Sequence, residues 1–151
     1  MYYLLELVEN IKLDSSWLSP ALKHGVSQAF LAALAASGIS WLLNGRLFNI
    51  YNHKAVIYLG PAVEELSKTG LAVLVGAPVM LTHTLFGAVE ALWELKTYRR
   101  GAAAGFAALA THAFYGWLAQ MVIDHSGIPA ALAVVYAVHM LWNFWVMHKL
   151  T

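Results

Sequence analysis

Residues 55–98 read AVIYLGPAVEELSKTGLAVLVGAPVMLTHTLFGAVEALWELKTY. Hydropathy alone would draw one membrane span here, from Thr69 to Val89, because these 21 residues carry no formal charge. The alternative is a tight turn at Gly76-Ala-Pro78 between two helices, Ala55 to Val75 and Val79 to Tyr98. We favour two helices, because Gly-Ala-Pro is better suited to a turn than to the middle of a helix. A single span would also leave the apolar start of the stretch without a partner.

Three further runs without formal charge are long enough to cross a bilayer. Residues 25–44 belong to a helix predicted from Ala21 to Asn44, with Gly45 as its stop. Gly101 to Val122 contributes 22 residues and Gly127 to Met147 contributes 21, with a turn between them. The predicted fold class is therefore an all-α, polytopic membrane helix bundle with five transmembrane helices.

Composition agrees with this class. The chain is 60% apolar and only 11% charged, with a mean hydropathy of +0.63 and no cysteine, whereas soluble domains carry about 25% charged residues. We expect one integral membrane domain over residues 1–151, with an interfacial amphipathic segment at 1–18 and the helix bundle at 20–150. The absence of cysteine excludes thiol chemistry, and a net charge of +1 without a basic cluster argues against nucleic acid.

Basic residues are divided unequally between the two faces that five spans would create. Lys12 and Lys23 fall on one face. The opposite face receives Arg46, Lys54, Lys96, Arg99, Arg100 and Lys149. Because basic residues collect on the cytoplasmic side, we predict a cell-membrane protein with its N-terminus outside and its C-terminus in the cytoplasm.

Polar and ionisable residues stand inside the last four predicted spans, where an unpaired charge costs about 3 kcal/mol or more and by default marks function. These residues are Glu64, Glu65 and Lys68 on the second span, Glu90 on the third, His112 on the fourth, and His139 and Asn143 on the fifth.

The depths of four of these residues agree. Counted from the predicted cytoplasmic ends at about 1.5 Å per residue, Glu64, His112 and His139 lie roughly 14–16 Å deep. Glu90 lies roughly 9 Å deep on the same scale. Antiparallel helices therefore present carboxylates and imidazoles at similar levels, which predicts that they converge on one buried polar site.

Local features around the site lead to further expectations. Glu64 and Lys68 are four residues apart and should pair on one helix face. Pro61 removes a helical hydrogen bond and should expose a carbonyl near Ile57. Glycines on the third and fourth spans should let helices approach closely at the site. These are Gly87 and Gly116.

Carboxylates beside histidines can activate water. A glutamate acting as general base, with a histidine or asparagine that binds the developing oxyanion, would hydrolyse an amide. Zinc is the alternative use of such residues and would take Glu64, Glu90, His112 and His139 as ligands, but no His-Glu-x-x-His is present. No cofactor is predicted. We interpret His83 as a packing histidine and Glu94 as a solvated rim residue.

The ordered motifs resemble a known family. The series E-E-x-x-K (Glu64, Glu65, Lys68), F-x-x-x-E (Phe86, Glu90), an isolated His112 and H-x-x-x-N (His139, Asn143) is similar to the CAAX-protease and bacteriocin-processing superfamily of intramembrane proteases. Within it, the PrsW-like branch is the most similar. The resemblance covers residues 55–145.

This resemblance implies that Glu64 is the base that holds the attacking water, with Glu65, Lys68 and Phe86 in supporting roles. It also implies that His139 and Asn143 bind the oxyanion. The CAAX prenyl-protease branch has histidine at the end of the second motif and arginine after the paired glutamates, where this chain has Glu90 and Lys68.

The predicted function is an intramembrane endopeptidase that cuts a membrane protein or a lipidated peptide. Two alternatives stay open: a transporter that handles protons or cations, and a non-catalytic scaffold of the same fold. We find no internal repeat of the kind that many transporters contain. The predicted partners are the substrate and the lipid bilayer, with self-association through the packing glycines left open.

Overall fold

A computed structural model describes residues 20–97 and 101–150, with side chains over 24–97 and 101–149. All regular structure in these ranges is helical, which confirms the all-α prediction for them. The predicted amphipathic segment 1–18, together with Arg99 and Arg100, lies outside the described residues. The helices are α1 (Pro20–Tyr51), α2 (Gly60–Val75), α3 (Val79–Thr97), α4 (Gly101–Ser126) and α5 (Ile128–Leu150), and a π-helical turn (Ala55–Leu59) leads into α2.

The predicted turn separates α2 from α3. Gly76 has a left-handed backbone, with φ 68° and ψ 29°, which glycine adopts without a steric penalty. Its N–H donates to the Val73 carbonyl, and the Ala77 N–H donates to the Ala72 carbonyl, so the last carbonyls of α2 are satisfied. The two-helix interpretation of this stretch is therefore confirmed.

The predicted stop of the first helix at Gly45 is wrong. Helix α1 continues through Gly45 to Tyr51, and the chain leaves it at Asn52, whose φ is 51°. Asparagine is the residue that best tolerates this conformation after glycine. A glycine inside a helix costs only about 1 kcal/mol, so Gly45 alone does not end α1. The sequence predicts the turn after α4 over Asp124–Pro129, but it consists of Gly127 alone, with φ 82°, because α4 runs to Ser126 and α5 begins at Ile128.

Three helices are long and apolar enough to cross a membrane. They are His24–Tyr51 of α1, Gly101–Ser126 of α4 and Ile128–Lys149 of α5. Helices α2 and α3, which carry the glutamates of the predicted site, are not among these three. The membrane class of the chain therefore rests on α1, α4 and α5.

Apolar and polar side chains are distributed in the opposite way from a soluble protein. Large apolar residues face outward, as Leu74 and Phe106 do with 78% and 75% of their surface exposed. Glu65, Lys68 and His83 lie in the interior with almost no exposed surface. Such a distribution suits a lipid environment, where helices associate through small residues and polar contacts rather than through hydrophobic burial.

Among the described helices, α3 and α4 pack against each other most closely. The contact lies at Gly87 of α3 and Gly116 of α4. A Cβ atom on Gly116 would lie 2.7 Å from His83 Cβ and 2.8 Å from the Met80 carbonyl oxygen. A Cβ atom on Gly87 would lie 2.7 Å from His112 Cβ. The expected close approach at these two glycines is confirmed, and it holds both histidines in the interior.

We predict that Gly116→Ala destabilises the fold by about 1–3 kcal/mol, because the new methyl group would force α3 away from α4. Gly38→Ala is the matched control, since a Cβ at Gly38 would meet nothing within 4 Å. It should be neutral or slightly stabilising, as alanine favours helix. Thermal unfolding of both variants in detergent micelles checks this, and a Gly116→Ala protein as stable as the parent would contradict it.

Candidate functional site

The centre of the site is a buried ion pair on α2. Lys68 Nζ lies 2.6 Å from Glu65 Oε1, and the two side chains are 0% and 1% exposed. The expected pairing of Lys68 with Glu64 is only secondary, because that separation is 3.9 Å. The reason is direction: Glu65 points into the bundle with Lys68, whereas Glu64 is 17% exposed. The ammonium group also lies 4.7 Å from the centre of the Phe86 ring, a cation–π contact that gives this residue its supporting position.

Lys68 fixes the protonation of His112. The Nζ–Nδ1 distance is 3.1 Å, and an ammonium group can only donate, so Nδ1 accepts the hydrogen bond. A neutral ring then carries its proton on Nε2, which donates to Glu90 Oε2 at 2.6 Å. Glu65, Lys68, His112 and Glu90 are therefore joined in one hydrogen-bonded chain that crosses three helices.

Glu65 fixes His139 in the same way from the other side. His139 Nδ1 donates to Glu65 Oε1 at 2.8 Å, which leaves Nε2 of a neutral ring without a proton. That nitrogen is 3.9 Å from Glu64 Oε2. The Tyr115 ring stacks on the imidazole, with centroids 4.8 Å apart, and so fixes its plane. A carboxylate that orients a histidine toward a reacting group is a recurring element of hydrolytic sites.

Glu64 stands where the polar interior opens into two cavities. Its Oε1 accepts a hydrogen bond from Asn44 Nδ2 at 3.1 Å. One cavity has a volume of about 390 Å³ and is also lined by Glu90 and Asn143. The other has a volume of about 610 Å³ and lies between α1 and α3. Glu64, Glu90, Glu94 and Asn44 line both, so a molecule in either cavity could reach Glu64.

The π-helical turn explains the position of Asn143. The Gly60 N–H bonds to the carbonyl five residues back, and the same spacing pairs the Val56 carbonyl with residue 61. That residue is Pro61, which has no N–H. Asn143 Nδ2 donates to the Val56 carbonyl instead, at 2.9 Å. The exposed carbonyl expected near Ile57 is therefore that of Val56, and a residue of α5 satisfies it.

The four predicted zinc ligands do not form a metal site in this arrangement. Among the side chains that the structure describes, no three His, Asp or Glu residues are placed to hold one metal ion. The position among the carboxylates and imidazoles is taken by the Lys68 ammonium, and both His112 nitrogens are engaged in hydrogen bonds. In this arrangement the donor set therefore does not fit zinc.

Sequence reasoning missed several residues of the site. His83 does pack, as expected, but inside the cluster: its Nε2 is 3.1 Å from Thr69 Oγ1 and its Nδ1 is 3.7 Å from Glu65 Oε2. A signal was present, since His83 and Glu90 are seven residues apart and so share a helix face. Asn44 and Tyr115 had no such signal, because neither side chain carries a formal charge and only ionisable residues and residues of the quoted motifs were singled out within the spans. Glu94, expected at a solvated rim, lines the cavities.

No protein-family model matches this chain. No curated protein and no solved structure matches it either.

We predict that Lys68→Met destabilises the protein by about 3–5 kcal/mol, because it leaves the Glu65 carboxylate buried without its cation. The double variant Glu65→Gln with Lys68→Met should recover more than half of this loss, since the buried charge is then gone. Unfolding free energies of the three proteins in one detergent provide the measurement. A single variant as stable as the parent would show that the pair does not hold the interior together.

A second comparison of single and double variants tests whether Asn143 compensates for the N–H that Pro61 lacks. Asn143→Ala should cost about 1 kcal/mol of stability, because it removes the part-buried hydrogen bond to the Val56 carbonyl. In a Pro61→Ala background the residue 61 N–H becomes able to bond within the helix, so the same substitution should cost less. Equal losses in the two backgrounds would mean that the two residues do not serve the same carbonyl.

Proposed function

We propose that this protein is an intramembrane endopeptidase of the CAAX-protease and bacteriocin-processing type, closest to its PrsW-like branch. It would hydrolyse a peptide bond of a membrane protein or membrane-associated peptide with water activated by Glu64. One observation carries the proposal. Glu64 lines both cavities and has beside it His139, whose tautomer is set by the buried Glu65.

The reaction follows from these positions. Glu64 takes a proton from a water molecule in the cavity, and the water oxygen attacks the carbonyl carbon of the scissile bond. His139 serves as a donor to the oxyanion in the form whose Nε2 has already taken a proton from cavity water before the peptide binds, and it keeps this proton throughout the reaction. Asn143 has a second amide N–H besides the one on Val56 and can donate it to the same oxygen. When the C–N bond breaks, Glu64 returns its proton to the leaving nitrogen.

The other predicted residues act as positioning residues in this proposal. Glu65 and Lys68 are shielded from the cavities and hold the His139 and His112 rings. Glu90 is both a partner of His112 and a lining residue of the cavities, so it joins the buried chain to the open space. Preorganised groups of this kind hold the reacting groups in place without reorganisation during the reaction.

A transporter that handles protons is the second candidate, and one observation favours it. An unbroken series of hydrogen bonds runs from Glu90 through His112, Lys68 and Glu65 to His139, with separations of 2.6, 3.1, 2.6 and 2.8 Å. Chains of buried ionisable groups serve as proton relays in membrane proteins. The series ends near Glu64 rather than at a second opening, which favours the peptidase.

We further propose that all five helices cross the membrane, with the N-terminus outside and the C-terminus in the cytoplasm. Helices α2 and α3 also expose large apolar side chains, such as Leu66, Leu74 and Leu92, away from the polar interior. Their glutamates point inward or into the cavities, so the lipid-facing surface stays apolar. The excess of basic residues on one predicted face supports the orientation.

Glu64→Gln should lower the cleavage rate by about 10²–10⁴-fold with little change in stability, because a general base is removed from a partly exposed position. The test reconstitutes the purified protein with a panel of single-span membrane proteins and identifies new peptide termini by mass spectrometry. His139→Ala should lower the rate as well. Asp124→Asn, in the last turn of α4 away from both cavities, is the matched control and should cleave normally.

Two outcomes would contradict the proposed peptidase function. One is unchanged cleavage by both Glu64→Gln and His139→Ala. The other is a proton flux in liposomes that depends on Glu90 and His112, with no cleavage of any member of the panel.

A further inference from the structure

The larger cavity has chemistry that the hydrolytic step does not use. It lies between α1 and α3, has a volume of about 610 Å³ and meets the smaller cavity at Glu64. From its lining we infer that it binds the ammonium or guanidinium group of a lysine or arginine side chain that flanks the membrane segment of the substrate. This inference rests on the proposed function, since it places the peptide across Glu64.

Two buried oxygen atoms that belong to lining residues of the cavity lack hydrogen-bond donors. Ser40 is 96% buried, lines the cavity and has no partner for its Oγ. Asn44 donates its amide to Glu64, which fixes the orientation of the side chain and leaves the buried Oδ1 atom without a partner. Buried polar atoms are nearly always satisfied, so such a pair points to a ligand that brings N–H donors.

The charged side chains in the described lining of the cavity are all acidic. Three carboxylates line it, those of Glu64, Glu90 and Glu94, and its described lining contains no lysine or arginine. The Lys68 ammonium neutralises the buried carboxylate of Glu65. It is itself fully buried and does not line the cavity. A cation is therefore the ligand that this lining favours, since carboxylates in an apolar cavity are costly without one.

Two indole rings complete the lining. Trp41 and Trp93 stand on the two helices that form the walls, and both are largely exposed. Tryptophan is the aromatic side chain that best attracts a cation over its face. Ammonium and guanidinium groups carry both the charge for these rings and carboxylates and the N–H donors for Ser40 and Asn44, whereas a quaternary ammonium has no N–H.

The cavity extends from the depth of Glu64 to the membrane face, which suits a side chain carried by a bound peptide. In the proposed orientation Glu64 lies roughly 15 Å from that face, whereas Glu94, two residues before Lys96, lies close to it. A lysine or arginine side chain attached to a peptide bound at Glu64 reaches the cavity directly. The long aliphatic stem of either residue also suits the apolar part of the walls.

The test measures binding and cleavage separately with the full chain in phosphatidylcholine nanodiscs. The probes are three fluorescent peptides with the same leucine- and alanine-rich segment, followed by a single lysine, glutamine or glutamate. The parent protein should bind the lysine probe about tenfold more tightly than the glutamine probe. Glu94→Gln and Ser40→Ala should each reduce this preference to about threefold or less. Glu94→Lys should abolish the preference, because the new ammonium group competes with that of the probe for Glu64 and Glu90.

Asp124→Asn is the matched control, because it removes a carboxylate that lines neither cavity, and it should keep the tenfold preference. Equal binding of the lysine and glutamine probes by the parent protein would overturn the inference. So would a preference that survives in both Glu94→Gln and Glu94→Lys. Loss of lysine-probe binding when phosphatidylethanolamine is added would overturn it too, by showing that the cavity takes a lipid amine.

Mass spectrometry of the same samples detects cleavage of the probes and so tests the proposed peptidase function independently of binding. Cleavage without a lysine preference would overturn the cation site and leave the peptidase standing. A lysine preference without cleavage of any probe or of the membrane-protein panel would support the cation site and count against the peptidase.

Discussion

The arrangement of this protein depends on the buried pair of Glu65 and Lys68. Neither side chain reaches solvent, so each needs the opposite charge 2.6 Å away to be stable in the interior. Once formed, the pair determines its neighbours: the ammonium gives His112 its tautomer, and the carboxylate gives His139 its own. Two histidines on different helices are thus oriented by adjacent turns of α2. An interaction that is costly to bury becomes the element that specifies how the helices are placed.

Close helix contact makes this interior possible. Glycines at the interface of α3 and α4 bring His83 and His112 within reach of α2, which a single methyl group would prevent. The apolar residues of the interior are mostly alanines, with Phe86 and Tyr115 as large exceptions, and many other large apolar side chains face outward. The result is a polar core inside an apolar shell. In a bilayer such a core gains nothing from hydrophobic burial, so its specificity comes from hydrogen bonds and from steric fit.

Much of this could be predicted from residues alone, and the failures have identifiable causes. The turn at Gly76 was predictable because glycine followed closely by proline leaves a helix few ways to continue. The end of α1 was not, because Gly45 carries the same signal as a true helix stop while the chain continues its helix to Asn52. The partner of Lys68 was also misassigned. Residues three and four positions away are equally near along a helix, and only the surrounding bundle decides between Glu64 and Glu65.

By itself the sequence determined the class of the protein, the number of helices in the described ranges and the set of polar residues that share a depth. Periodicity, charge and turn chemistry are local properties, and they suffice for these features. Tertiary structure decided which carboxylate is buried and which faces a cavity, and it assigned Asn143 to the carbonyl that Pro61 leaves free. It also brought Ser40, Asn44 and Trp93 to one cavity. These outcomes depend on contacts between distant helices, which spacing along one helix does not specify.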